Sequence, residues 1–77
     1  MTKEILQQII DLADKNARPQ LSEMWESANL ALSDAIFLQS VGRLEDASKR
    51  AISSLKYSVG IFHPDYAKAV ELSNLTK

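Results

Sequence analysis

The sequence predicts an all-α fold, a compact bundle of about four short antiparallel helices in a single domain over residues 1–77. Apolar residues recur every three or four positions along most of the chain, which is the spacing that gives a helix one apolar face. No run of β-branched residues alternates with polar ones, as a half-buried strand would require. Two prolines and two glycines divide the chain into segments with short connections, and short connections place consecutive helices side by side.

The first helix is expected at about residues 3–16, where apolar and polar positions separate onto opposite arcs. The apolar arc consists of Ile5, Leu6, Ile9, Ile10, Leu12, Ala13 and Ala17. Pro19 ends this segment, because proline lacks the N–H that a helix interior needs and its ring clashes with the preceding turn. The same residue is well suited to open the next helix.

The second helix is expected at about residues 20–41, and it carries apolar residues on two opposite faces. The broader face, on which we expect Trp25 to be a core residue, comprises Leu21, Met24, Trp25, Ala28, Leu32, Ala35 and Ile36. The narrower face comprises Leu30, Phe37 and Val41 and lies among acidic and serine residues. A helix that covers only a small core needs one apolar face, so the second face requires another helix or another molecule.

Two further helices are expected at about residues 44–58 and 64–75. Gly42 and Gly60 follow the second and third helices, and glycine is the residue best suited to the left-handed conformation just past a helix end. Pro64 is preorganised for the first position of the last helix. His63 then falls in the cap region, and Asp65 lies in the first turn, where the helix dipole favours a negative charge.

The turn between the second and third helices is flanked by a regular spacing of small and large residues. Its members are Ala35, Leu38, Gly42, Leu44 and Ala47. Over about residues 28–60, this spacing resembles a helix pair of the tetratricopeptide-repeat family, in which small residues let the two helices approach closely. The resemblance implies a scaffold that binds a protein or peptide rather than an enzyme. Because at least about three repeats are normally needed for a stable array, it also implies a partner or an oligomer.

Composition restricts the function further. The 77 residues include nine Lys and Arg, ten Asp and Glu, one His and no Cys, with a net charge of −1. A chain this short is marginally stable without a disulfide, a metal or oligomerisation, and the lack of cysteine leaves oligomerisation or very good helix packing. No apolar run approaches the roughly 20 residues that cross a bilayer, so we expect no membrane partner and a cytoplasmic location.

No arrangement typical of catalysis or cofactor binding is present in the sequence. His63 is the one side chain expected to titrate near neutral pH, and only Asp65 is an acidic neighbour in sequence. Glycine-rich phosphate loops, nucleophile motifs and metal-ligand spacings are missing. We therefore expect no catalytic residue, no cofactor, no metal and no small-molecule substrate, and we rank an enzyme last among the possible functions.

The favoured function is a small non-enzymatic protein–protein interaction module, a regulator, adaptor or inhibitor that works as a homodimer or larger oligomer. The expected partner interface comprises Leu30, Phe37, Val41, Arg50 and Tyr57. Aromatic residues and arginine are enriched at protein interfaces, because they give large contact areas with a polar group at one end. The alternative for Phe37 and Tyr57 is that the last helix covers them.

A small DNA-associated regulator is the alternative function. In that case the turn at Gly42 would be the bend of a helix-turn-helix, and basic residues of the third helix would contact phosphates. These residues are Arg43, Lys49, Arg50 and Lys56. The net negative charge argues against this function, since phosphate binding is driven by clustered positive charge.

Overall fold

The computed structural model describes residues 1–17 and 24–75, which form four α-helices and no strand. The helices are α1 (Lys3–Asn16), α2 (Trp25–Ser40), α3 (Leu44–Ser58) and α4 (Pro64–Asn74). The all-α prediction is confirmed, and the bounds of α1 and α3 match the expected ones. α2 and α4 each end one residue before the expected end. The expected first turn of the second helix, residues 20–23, lies outside the described residues, and Met24 precedes α2 as its cap residue.

α1 is capped at its start by a side chain and buries one face. The Thr2 hydroxyl accepts the N–H of Ile5 at 3.2 Å, which satisfies one amide that the first turn leaves without a helical partner. The buried residues of α1 are Leu6, Ile9, Ile10 and Ala13. Leu6 and Ile9 are, with Leu55 of α3, the largest fully buried apolar side chains in the described part of the chain.

Both glycines have the left-handed conformation that the sequence predicts. Gly42 has a φ of 81° after α2, and the N–H of Arg43 donates to the carbonyl of Leu38 at 2.9 Å. Gly60 has a φ of 89° after α3, and its N–H donates to the carbonyl of Leu55 at 3.2 Å. Carbonyl groups at the ends of both helices thereby gain hydrogen-bond partners, and the chain turns sharply into the next segment.

α2 and α3 run in opposite directions, as two polar contacts between them establish. Ser54, late in α3, donates its hydroxyl to the carbonyl of Ala28, early in α2, at 2.8 Å. Arg50, earlier in α3, places Nη2 at 3.0 Å from Oδ2 of Asp34, later in α2. Moving forward along one helix therefore means moving backward along the other, which is the antiparallel arrangement expected from a short connection.

Small side chains form the contact between α2 and α3. Their buried members are Ala28, Ala31 and Ala35 of α2 and Ala47, Ser48, Ala51 and Ser54 of α3. Because the distance between packed helices depends on the side chains at the contact, this composition lets the two backbones approach closely.

The close contact rotates the buried arc of α2 away from the arc expected from the sequence. Ala31 is fully buried, whereas Trp25 is 40% exposed and Ile36 is 48% exposed. The expectation that Trp25 is a core residue is therefore wrong. The expected arc was centred on large apolar residues. In the structure, the side of α2 that carries the alanines faces α3, so Trp25 and Ile36 lie at the edge of the buried arc.

α4 packs on α1 and α3 and, within the described residues, makes no contact with α2. Nδ1 of His63 accepts the N–H of Asp65 at 3.0 Å, which confirms the expected cap position of His63. Asn16, at the end of α1, donates Nδ2 to Oδ2 of Asp65 at 2.9 Å. Ala69 is buried and Leu72 is partly buried against the core, so α4 adds a fourth side to the bundle.

Candidate functional site

Three large apolar residues lie exposed on the outer face of α2. Leu30 is 62% exposed, Phe37 is 63% exposed and Val41, the cap residue, is 54% exposed. Their intervals of seven and four residues place them in one line along the helix, and we call them the α2 outer stripe. Because α4 does not contact α2 in the described part of the chain, the alternative that the last helix covers Phe37 is wrong.

An ion pair with α3 borders the α2 outer stripe. Asp34 lies four residues after Leu30 and three before Phe37, which places it on the same side of α2. Its Oδ2 lies 3.0 Å from Nη2 of Arg50, and both side chains are about half exposed. The sequence analysis proposed Arg50 as a contact for a partner, and in the structure Arg50 also forms this link within the chain. The ion pair joins the surface of α3 to the α2 outer stripe.

Tyr57 lies two turns after Arg50, on the same side of α3, and is half-buried. Arg50 and Tyr57 therefore share one side of α3, and the ion pair between Arg50 and Asp34 joins that side to the side of α2 that carries Leu30 and Phe37. Whether this side contacts a partner stays a prediction.

The four basic residues of the DNA hypothesis are not equally placed. Arg43 pairs with Asp46 at 2.6 Å, and Arg50 pairs with Asp34. Lys49 and Lys56 are exposed and form no ion pair with any described residue. Carboxylates of the same chain thus already contact two of the four positive charges that phosphate binding would need.

A second exposed apolar region lies at the other end of α3, where the chain turns into α4. Phe62 is 95% exposed, Ile61 is 50% exposed and Leu75 at the end of α4 is 67% exposed. A shallow groove beside them is lined by Ile61, Leu75 and α4 residues that include Tyr66 and Val70. The sequence analysis assigned no role to Ile61 and Phe62. Two consecutive large apolar residues between a turn glycine and a helix-opening proline were the signal that it passed over.

A polar cluster joins α1 to the start of α4. Nζ of Lys15 lies 3.8 Å from Oδ2 of Asp65, which also accepts the hydrogen bond from Asn16. That hydrogen bond, followed by the nearby Lys15, His63 and Lys68 side chains, holds the pKa of Asp65 below its ordinary value of 3.8. The cluster caps α4 and links two helices, and it presents a single carboxylate.

Among the described residues, no three His, Cys, Asp or Glu side chains are grouped closely enough to hold a metal ion. None of the helices in residues 1–17 and 24–75 is both long enough and apolar enough to cross a membrane. No protein-family model, curated protein or solved structure matches this chain.

Proposed function

We propose that this protein is a small non-enzymatic module that binds protein through the outer side of its α2–α3 hairpin. The observation that carries the proposal is the exposure of Leu30, Phe37 and Val41 in one line on α2. Single exposed apolar residues are common on protein surfaces, but a contiguous group framed by polar residues is typical of an interaction surface.

The residues around the α2 outer stripe have the polar and charged composition that is typical of the rim of a protein interface. Glu26, Ser33 and Asp34 lie between or beside the apolar residues on the exposed part of α2. Arg50 and Tyr57 add the two residue types that, with tryptophan, contribute most often to binding energy. An apolar centre with a polar rim allows water to be excluded from the centre while charged groups stay hydrated.

The size of the chain supports the same proposal. Few large side chains are fully buried in the described part of the chain, and much of the contact between α2 and α3 is made by alanine and serine. Burial of the α2 outer stripe against a partner would add apolar burial to a marginal core. A regulator, adaptor or inhibitor that acts as an oligomer in the cytoplasm fits this description. The tetratricopeptide-like spacing also implies a protein that binds a protein or peptide.

A site-specific crosslink tests the proposal. A photoreactive phenylalanine analogue placed at Phe37 should form a covalent adduct with a protein, either a second copy or a different chain. The same analogue at Gln8, on the exposed side of α1, is the control, because that side carries no apolar stripe. Leu30→Asp should abolish the adduct from position 37. An adduct yield at position 37 no higher than at position 8 would contradict the proposed function.

A further inference from the structure

We infer that the partner of the α2 outer stripe is a second copy of this chain, docked so that the two α2 helices lie antiparallel about a two-fold axis. This inference rests on the proposed function and adds the identity of the partner. It follows from the positions of apolar and charged residues along α2, which are complementary to themselves when the helix is reversed.

The apolar residues set the first match. Leu30 and Phe37 are almost equally exposed, at 62% and 63%, and their seven-residue separation spans about 10 Å along the helix. Their midpoint lies between Ser33 and Asp34. When a second α2 is laid antiparallel about that midpoint, Leu30 of each copy faces Phe37 of the other. One two-fold axis thus generates two equivalent apolar contacts, which is the form of an isologous dimer.

The charged residues near the two ends of α2 give a second match. Glu26 precedes Leu30 by one turn, and Arg43 lies just past the turn at Gly42 that follows α2. The same antiparallel arrangement places the start of each α2 beside the end of the other, so each Glu26 comes close to the turn that carries Arg43 of the other copy. Glu26 is exposed and forms no ion pair with any described residue.

Arg43 is able to serve two carboxylates. Its guanidinium already contacts Asp46 within the chain, but its side chain is 67% exposed. A guanidinium carries five N–H donors, of which a single carboxylate uses at most two. The donors that Asp46 does not use can meet Glu26 of the second copy.

The residues at the axis allow the two helices to approach. Ser33 is small and exposed, so it adds little bulk between the helices. Asp34 of one copy would lie opposite Ser33 and next to Asp34 of the other, and like charges at an interface are unfavourable. The ion pair with Arg50 at 3.0 Å offsets that repulsion within each chain before the two copies meet.

A parallel arrangement of the two α2 helices lacks these matches. It would place Glu26 against Glu26 and Arg43 against Arg43, which is repulsive at both ends. The antiparallel arrangement is also limited in area, because a 16-residue helix is about 24 Å long. A stable complex of standard size buries about 800 Å² per partner, which exceeds what one helix pair provides alone. The dimer should therefore dissociate on dilution.

Charge reversal tests the proposed contact. Glu26→Arg and Arg43→Glu should each raise the dimer dissociation constant about tenfold at low salt, because two attractive pairs become repulsive. An equimolar mixture of the two variants should regain the wild-type association, since every facing pair in the mixed dimer has opposite charges. Asp14→Arg and Lys49→Glu reverse exposed charges outside the contact and should leave association unchanged. Sedimentation equilibrium measures association, and circular dichroism measures whether each variant is folded.

Cysteine pairing tests the register without altering any charge. The natural chain contains no cysteine. A mixture of Leu30→Cys and Phe37→Cys chains should form the mixed disulfide in preference to either homodisulfide, because position 30 faces position 37. Preferential homodisulfides would overturn the antiparallel arrangement, even where Arg43→Glu fails to fold.

Three further outcomes would overturn the inference. One is a wild-type chain that is monomeric at every concentration, and this leaves the proposed function standing if the analogue at position 37 captures a different protein. Another is a dimer that both charge reversals leave unchanged. The third is a mixture of the two folded charge variants that associates no better than either alone.

Discussion

α1 and α2 are neighbouring helices of similar length that use their apolar residues in different ways. α1 buries Leu6, Ile9, Ile10 and Ala13, and its exposed side is polar. α2 buries Ala28, Ala31, Leu32 and Ala35, and it exposes Trp25, Leu30, Ile36 and Phe37. In α1 the large residues form the core, whereas in α2 small residues form the core contact and most large ones lie at the surface.

This difference indicates that the two helices are under different requirements. α1 packs only against the interior of the bundle, and one apolar face is enough for that contact. α2 is fixed to α3 by alanines and by the hydrogen bond from Ser54, and Leu32 joins the core, so its exposed large residues are not needed to hold it in place. The proposed contact outside the fold would give the exposed residues of the α2 outer stripe a partner to pack against.

The largest expected effect comes from replacing a leucine by alanine, which should destabilise the fold strongly in α1 and hardly at all on the outer side of α2. Leu6→Ala should lower the free energy of unfolding by about 2–5 kcal/mol, because Leu6 is fully buried and its loss leaves a cavity. Leu30→Ala on the α2 outer stripe should change the stability of the monomer by less than about 0.5 kcal/mol. Urea denaturation at a concentration low enough to keep the chain monomeric measures both. Equal losses would remove the distinction between the two helices.

Gly42 tests whether the α2–α3 contact depends on the turn. Gly42→Val should cost more than about 1 kcal/mol, because a β-branched residue is strained at a φ of 81°. Apart from the two chain neighbours, no heavy atom of the described residues lies within 4 Å of the added Cβ, so the cost would be one of backbone conformation. Gly42→Asn, which tolerates this conformation better, is the control and should cost less. A neutral Gly42→Val would mean that the chain does not need a sharp turn between the two helices.

Ser54 tests the polar contribution to the same contact. Ser54→Ala should lower the free energy of unfolding by about 0.5–1.5 kcal/mol, because its buried hydroxyl donates to the Ala28 carbonyl at 2.8 Å. Ser40→Ala removes an exposed hydroxyl at the end of α2 and should have a smaller effect. If thermal or urea denaturation shows no difference between the two variants, the alanine packing alone holds α2 on α3.

Asp65 gives the smallest expected effect, a change in pH dependence at the α1–α4 contact. Its pKa in the folded protein lies below its ordinary value of 3.8, so its contribution to stability is present above that pH and is lost as the pH falls through the folded pKa. Asp65→Asn should therefore reduce the loss of stability on acidification below about pH 4. Asp14→Asn, on the exposed side of α1, is the control. Identical acid profiles for wild type and Asp65→Asn would show that the cluster does not stabilise the fold.

The helix bounds and turns followed from the sequence because they depend on local chemistry. Gly42, Gly60 and Pro64 act through their own backbone preferences, and His63 caps the helix that Pro64 opens. The exposed line of Leu30 and Phe37 also followed, since its members stand apart from the main apolar face by helical geometry.

The features that the sequence did not predict depend on how helices meet. The exposure of Trp25 follows from the rotation of α2 toward Ala31, which only the packing of α3 determines. The pair between Asp34 and Arg50 requires the register of the α2–α3 contact, and no local signal specifies it. The exposure of Phe62 follows from the direction in which the turn after Gly60 leaves α3.

The molar mass of wild type and Phe37→Asp, measured by light scattering over a range of concentrations, tests the central claim that the α2 outer stripe binds a second copy of this chain. We expect the wild-type mass to rise toward that of a dimer, while Phe37→Asp stays monomeric and keeps its helical content. Leu55→Asp, at a fully buried position, should lose helical content and is the control for a substitution that disrupts the core. A wild type that stays monomeric, or a Phe37→Asp variant that associates as strongly as wild type, would contradict the account.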